Sequence, residues 1–332
     1  MAPVTARLQG TTGSGLLFAG LAPGVAPRLP IVSSDPFADL ADSLAGFASA
    51  FREVLKGNQW PAPGSPAAAE AEGEPFAGEW GAFPSRDVLA TVLLASASSA
   101  DHLAAAGSVL RGRNAVFAPY TVTRAAAEAG AMAVYLTDPA IDGRERVRRN
   151  VNYRLDAFCE QIRLVGGFQD GDAARMADRN RGRLGDFERA AQRHGFRFRR
   201  MDGPRQSAYL DRRLPSAMEL VDLAVDRNVP GVGVAYQRHL SSVAHAKLHG
   251  LTRFLTPLAG TPPEAARTSI NASAATIALE LLAGPVCAAN LVGGLGWFTG
   301  WDMAPVTSPM IVMLETWGRI GGVPYPAASK PA

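Results

Sequence analysis

The stretch 35–57, which reads DPFADLADSLAGFASAFREVLKG, decides the fold class. Its large apolar side chains recur every three or four residues, the spacing of one face of an α-helix; they are Phe37, Leu40, Leu44, Phe47, Phe51 and Leu55. Asp35 suits the N-cap, Pro36 the first helical position and Gly57 the end of the helix. The stretch therefore predicts an amphipathic helix that packs one face against a core.

The same helical spacing returns along most of the chain beyond residue 84. It predicts further helices over 85–110, 119–137, 144–165, 172–194, 216–228, 236–258, 263–284, 285–297 and 308–320. We find no strand-like alternation and no internal repeat. The sequence therefore predicts an all-α fold, a multi-helix bundle with an irregular amino-terminal segment.

Composition divides the chain into five predicted parts. Residues 1–34 are rich in Gly, Pro and Thr and predict an irregular tail, and 35–57 form the amino-terminal helix. Residues 58–84 are rich in Pro, Gly and Ala, which is typical of a linker or mobile loop. The main α-helical domain is predicted over 85–322, and 323–332 form a second tail.

Composition also indicates the compartment. Two cysteines without CxxC spacing supply neither a disulfide framework nor a thiolate metal site, and they suit a reducing environment. The amino terminus has no basic region followed by a long apolar core, so a cytoplasmic location is expected. The most apolar stretch, 276–298, contains Glu280 and Pro285, which favours a buried core helix over a membrane span. We therefore expect no membrane partner.

The stretch 236–258, YQRHLSSVAHAKLHGLTRFLTPL, carries most of the chemically capable side chains. On one continuous helix, a common face within about 60° would hold four of them, Arg238, Ser242, His245 and His249. Apolar side chains gather opposite. This stretch is therefore the leading candidate for a functional site.

Metal chemistry and serine nucleophile chemistry both fit this stretch poorly. His245 and His249 have zinc-ligand spacing, but Ala246 stands where a metalloprotease has its Glu, and no third ligand is evident. We therefore expect neither a metal nor another cofactor. Ser242 lies outside any nucleophile elbow, and its hydroxyl is expected to bond back to a backbone carbonyl.

The segment Arg238-His239-x5-His245 resembles the motif of the higher eukaryote and prokaryote nucleotide-binding (HEPN) superfamily of helical domains. In its nuclease members two such motifs meet at a pseudo-two-fold or dimer interface and cut RNA without metal. The resemblance implies that His245 is the acid and base for the 2′-hydroxyl and the leaving oxygen. It implies that Arg238 stabilises charge on the phosphate and that His239 fills the polar position. RNA and a homodimer are the partners that it implies.

Further side chains are predicted to contact the substrate. Ser242 and His249 share the predicted face, and Tyr236 begins the stretch. Arg124 and Glu128 lie four residues apart on an earlier predicted helix. That spacing fits either an ordinary intrahelical pair or a polar pair that borders a pocket.

Three functions remain open from the sequence. The first is a metal-independent ribonuclease of toxin or defence type, with the arginines of 144–213 guiding RNA. Solvated helix faces are the other interpretation of these arginines, and the apolar spacing of 144–165 predicts that its arginine cluster is the solvated side of that helix. The second is a small-molecule enzyme whose helical pocket is lined by Glu128, Tyr135, Arg238, His245 and the region of Trp297 and Trp301. The third is a non-catalytic oligomerising or regulatory helical protein.

Overall fold

A computed structural model describes residues 35–74, 76–166, 171–201, 207–225, 232–257 and 268–323. The tails predicted at 1–34 and 323–332 lie outside the described residues, Val323 excepted. Within the described ranges the chain folds into twelve α-helices, one 3-10 helix and four short strands. The prediction of an all-α multi-helix fold is confirmed.

Six of these helices lie before residue 194 in the described ranges. They are α1 (Pro36–Gly57), α2 (Pro66–Glu72), α3 (Pro84–Gly112), α4 (Ala118–Leu136), α5 (Gly143–Val165) and α6 (Gly171–Arg193). The later helices are α7 (Ala217–Val225), α8 (Val232–Ala244), α9 (Leu248–Leu251), α10 (Ala274–Glu280), α11 (Ala283–Thr299) and α12 (Ala304–Gly321). The core lies where α3 packs against α1 and α4, and where α11 packs against α4.

Helix α1 begins and ends close to the predicted positions. Asp35 is its N-cap, and the carboxylate accepts hydrogen bonds from the backbone N–H groups of Phe37 and Ala38. Its apolar face is buried against α3 and α12. Gly107 permits the close approach of α3, because an added Cβ would lie 2.9 Å from the carbonyl oxygen of Ala41.

The stretch 58–84, predicted as a linker, packs into the fold instead. Ser65 caps α2, which lies against α3 and α11. Phe76 and Trp80 are buried, and the Trp80 indole N–H donates to the carbonyl of Phe187 at 3.3 Å. Composition suggested a mobile segment, but these two large aromatic side chains gain more by burial than by solvent exposure.

Four short strands correct the prediction that the chain has none. β1 (Phe198–Met201) pairs antiparallel with β2 (Ser207–Leu210), and β3 (Leu255–Pro257) pairs antiparallel with β4 (Thr268–Ile270). Strands of three or four residues are too short to show an alternating pattern in the sequence.

Two arginines of α5 are buried, although this charged cluster was predicted to be the solvated side of its helix. The Arg146 guanidinium lies 3.1 Å from a Glu70 carboxylate oxygen and also donates to the carbonyls of Leu136 and Ile141. It lies 4.8 Å from the centre of the Phe298 ring. Arg148 is the second buried arginine. A carbonyl group at the end of α4 needs a donor, which explains the burial of Arg146. Arg148 instead donates to the carbonyls of Leu210 and Arg212.

Both cysteines are free and buried. Cys159 lies on α5 and Cys287 on α11, and neither side chain is exposed to solvent. Burial raises the pKa of the Cys287 thiol to about 12. Neither thiol is therefore a reactive group in the folded chain.

Among the described residues, α3 alone is a single helix with the length and apolar character that crossing a membrane requires. The pair α10–α11, bent by 45°, meets the same criterion when taken as one unit. In the fold, α11 packs against α4, and α3 packs against α1 and α4.

Candidate functional site

The stretch 236–258 does not form one helix, so this prediction is wrong. Helix α8 ends at Ala244, and Ala246 adopts a left-handed backbone conformation with φ of +50°. The four-residue helix α9 follows, and then a 3-10 helix at Thr252–Phe254. His245 lies just beyond α8, and His249 lies on α9. The two histidines and Arg238 therefore do not share one helix face.

Close packing between α8 and α9 explains the break. Gly250 lies against Ser242, where an added Cβ would lie 2.8 Å from the Ser242 carbonyl carbon. Ser242 is buried, and its hydroxyl donates to the carbonyl of His239 at 2.8 Å, as expected for a serine that bonds back to its own helix. Its predicted contact with a substrate stays a prediction.

Three of the predicted site residues meet, although His245 is distant in sequence from Arg124 and Glu128. An Arg124 Nη1 lies 2.8 Å from Nε2 of His245, and the Arg124 Nε lies 2.7 Å from Glu128 Oε1. Gln237 of α8 donates from its side-chain amide to the same Glu128 oxygen. We call these four residues the Arg124 cluster. It joins α4 to the end of α8.

The Arg124 contact determines which ring nitrogen of His245 carries the proton. A guanidinium only donates hydrogen bonds, so Nε2 of His245 accepts and the ring proton lies on Nδ1. His245 is exposed, and 22% of the Arg124 side chain is accessible to solvent. The cluster therefore presents a basic lone pair beside a permanent cation at the surface.

The remaining predicted residues lie apart from this cluster. Arg238 and His249 are exposed, and within the described ranges no hydrogen bond or ion pair joins either of them to His245. Tyr236 and His239 line a depression at α8 and α10. The structure thus separates the predicted catalytic residues His239 and His245.

His239 belongs to a second polar group, which we call the Glu280 cluster. Its Nε2 lies 3.1 Å from Glu280 Oε2, and its Nδ1 lies 3.1 Å from Arg253 Nη1. Arg253 also pairs with the other Glu280 oxygen, and the Tyr120 hydroxyl donates to Oε2. Because Arg253 donates to Nδ1, the His239 ring proton lies on Nε2 and points at Glu280.

Burial and hydrogen bonding set the charges of this cluster. Burial raises the pKa of the Glu280 carboxyl, but hydrogen bonds from His239 and Tyr120 outweigh it and hold that pKa below its ordinary value. Burial, and then the bond to Glu280, raise the pKa of Tyr120. The pKa of Tyr236 is raised by burial and by the Glu280 charge. At neutral pH Glu280 is therefore a carboxylate, and Tyr120 and the neighbouring Tyr236 are protonated.

Sequence reasoning missed four residues of these clusters, namely Gln237, Tyr120, Arg253 and Glu280. In the sequence, Glu280 is notable only as an acidic residue inside an apolar stretch. That observation served only as an argument against a membrane span. Gln237 adjoins Arg238, but only the tertiary fold shows that it contacts Glu128.

Three of the residues proposed for a helical pocket contact different partners. The Arg149 guanidinium stacks 4.1 Å from the Tyr135 ring, and Arg146 lies 5.6 Å from the Trp297 ring. Glu128 belongs to the Arg124 cluster. Each of these three side chains therefore has its own partners, and the proposed pocket stays a prediction.

We call the arginine-rich segment 171–201 the basic surface. Its nine arginines and four acids give a net charge of +5. Three arginines of α6 pair with an aspartate three residues earlier, Arg175 with Asp172, Arg181 with Asp178 and Arg189 with Asp186. Arg179 and Arg199 are exposed as well. Part of the positive charge is therefore already neutralised on the helix.

Helix α8 is positioned by a close contact with α7, which gives a testable prediction. An added Cβ at Gly233 would lie 2.4 Å from the Cα of Asp222. We expect Gly233→Ala to lower the free energy of unfolding by about 1–3 kcal/mol, measured by urea titration, because backbone has to move.

The matched control is Gly182→Ala on α6, where nothing lies within 4 Å of an added Cβ. This change is expected to raise the free energy of unfolding by up to about 1 kcal/mol, because alanine is the better helix former. Equal effects of the two changes would contradict the packing argument.

No group of three or more His, Cys, Asp or Glu side chains that could hold a metal ion lies among the described residues. The chain matches no family model, no curated protein and no solved structure. The HEPN resemblance, the RNA partner, the homodimer and the cytoplasmic location stay predictions.

Proposed function

We propose that this protein is a metal-independent ribonuclease of toxin or defence type whose reaction centre is the Arg124 cluster. One observation carries the proposal: the 2.8 Å contact between Arg124 and His245, which are 121 residues apart. RNA cleavage without metal needs a base for the 2′-hydroxyl and a cation for the phosphate. The cluster offers both at the surface.

The reaction follows from these groups. A phosphate oxygen of the RNA replaces Nε2 of His245 as the acceptor of the hydrogen bond from Arg124, so the lone pair of Nε2 becomes free. Nε2 then removes the proton of the 2′-hydroxyl while that oxygen bonds to phosphorus. The bond from phosphorus to the 5′-oxygen breaks, and the imidazolium returns its proton to that oxygen. The products are a 2′,3′-cyclic phosphate and a 5′-hydroxyl.

The neighbouring residues take supporting roles in the proposal. Glu128 accepts from Arg124 and from Gln237, which fixes the direction of the guanidinium. Arg238 is exposed on α8 and is proposed to contact a second phosphate. The basic surface 171–201 guides the RNA strand, and a second copy of the chain supplies the second motif that the HEPN resemblance implies.

The ends of the products test this chemistry. We expect the purified full chain to cut single-stranded RNA in the presence of excess EDTA. We expect every new end to be a 2′,3′-cyclic phosphate or a 5′-hydroxyl, identified by mass spectrometry. RNA whose 2′-hydroxyls are replaced by methoxy groups should resist cleavage. A 5′-phosphate product, or a requirement for added metal ions, would exclude the mechanism.

A further inference from the structure

The Glu280 cluster lines an open depression that the proposed ribonuclease reaction does not use. The depression has a volume of about 510 Å³ and is lined by Val232, Ala235, Tyr236, His239, Arg253, Leu279 and Glu280. Pockets for small organic ligands have volumes of about 300–1,000 Å³. The depression is therefore large enough for a small molecule.

Its walls are mostly apolar. Val232 and Ala235 come from the first turn of α8, Leu279 comes from α10, and the Tyr236 ring completes the wall. Leu279 is 42% exposed, so its side chain still has apolar surface to bury. A ligand body of hydrocarbon or aromatic character gains by covering this surface.

The depression also has a polar end, which Arg253 and Tyr236 form. Arg253 uses Nη1 on His239 and Nη2 on Glu280, and 48% of its side chain is exposed. A guanidinium has five N–H donors, so Arg253 keeps donors for a ligand. In the described part of the chain, no hydrogen bond engages the Tyr236 hydroxyl, which stays protonated and can donate as well.

The charged side chains in the lining favour a ligand with a single negative charge. Among the described residues of the lining Arg253 is the cation, and the Glu280 carboxylate already lies against it with 7% of its side chain exposed. A doubly charged phosphate would bring its second charge close to Glu280, while an amine would meet the guanidinium. A carboxylate instead fits the guanidinium edge with two parallel hydrogen bonds.

We propose that this depression is a binding site for a small monocarboxylate with an apolar body. The carboxylate contacts Arg253 and Tyr236, and the body covers Ala235, Val232 and Leu279. His239 and Glu280 hold Arg253 in place. The site does not depend on RNA cleavage, because it uses none of the Arg124 cluster.

Titration calorimetry on the full chain tests the site. The probes are hexanoate and phenylacetate, each compared with its neutral amide, and hexylamine. We expect at least one carboxylate to bind at least tenfold more tightly than its amide, and we expect no binding of hexylamine. Arg253→Gln should weaken binding of that carboxylate at least tenfold. Ala235→Trp, which fills the depression, should abolish it.

The matched control is Arg52→Gln, which removes a half-exposed arginine paired with Asp101 on the far helices α1 and α3. It should leave the affinity unchanged. The proposal fails if neither carboxylate binds the wild-type chain, if amides bind equally well, or if Ala235→Trp still binds. If Arg253→Gln does not fold, the proposal is still tested by comparing each carboxylate with its neutral amide and by the Ala235→Trp variant. RNA cleavage, measured separately, has no bearing on this result.

Discussion

Replacing His245 with alanine is expected to lower the rate of RNA cleavage by about 10²–10⁴-fold, the usual contribution of a general acid–base group. The imidazole is the nitrogen base of the Arg124 cluster, and its Nε2 accepts from Arg124. Single-turnover cleavage measures the loss. The free energy of unfolding should change little, because His245 is exposed and lies beyond the end of α8.

The control for this change is His102→Ala, which removes a half-buried histidine of α3 that belongs to neither polar cluster. The His102 variant should cleave RNA at the wild-type rate. If the His245 variant also does so, the proposed reaction centre is wrong, whatever the origin of the remaining cleavage.

Replacing Arg146 with alanine is expected to cost about 3–5 kcal/mol of unfolding free energy, the usual effect of breaking a buried ion pair by removing one partner. Arg146 is fully buried and is the donor to Glu70 and to the carbonyls of Leu136 and Ile141. Without it these acceptors lose this donor. Urea titration followed by circular dichroism measures the loss.

Arg175→Ala is the matched control for Arg146. Arg175 also pairs with an acid, Asp172, but 71% of its side chain is exposed. An exposed pair contributes at most about 1 kcal/mol, so this change should have a small effect. Equal losses for the two arginines would show that the Arg146 interactions do not hold α5 to α2 and α4.

The helices predicted most accurately are those whose ends and buried face are marked by residues within the helix itself. Helix α1 was predicted to within one or two residues, because Asp35, Pro36 and Gly57 mark its ends and its apolar face repeats without interruption. The pair of Arg124 and Glu128 was also found, because four residues separate neighbours on a helix surface. Signals of this kind do not depend on the rest of the fold.

Contacts between distant elements escaped prediction. The break after Ala244 has no proline, and its cause is the contact of Gly250 with Ser242, which only the folded chain reveals. Burial of Arg146 and Arg148 was missed for the same reason. Both arginines have the spacing of a solvated face, but carbonyl groups on other elements need their N–H donors.

His245 was chosen for a reason that the structure does not support. Its selection rested on one continuous helix face shared with Arg238, and that helix ends at Ala244. The structure instead joins His245 to Arg124, which also bonds Glu128, and these two residues were selected independently. The role of His245 as a catalytic residue stays a prediction.

The two buried thiols have a practical consequence. Cys159 and Cys287 lie on different helices of the core and are shielded from solvent. A soluble alkylating reagent can modify them only in molecules whose α5 or α11 has transiently opened. Peptide mapping of the modified chain would therefore report, separately for the two helices, how often each part of the core becomes accessible.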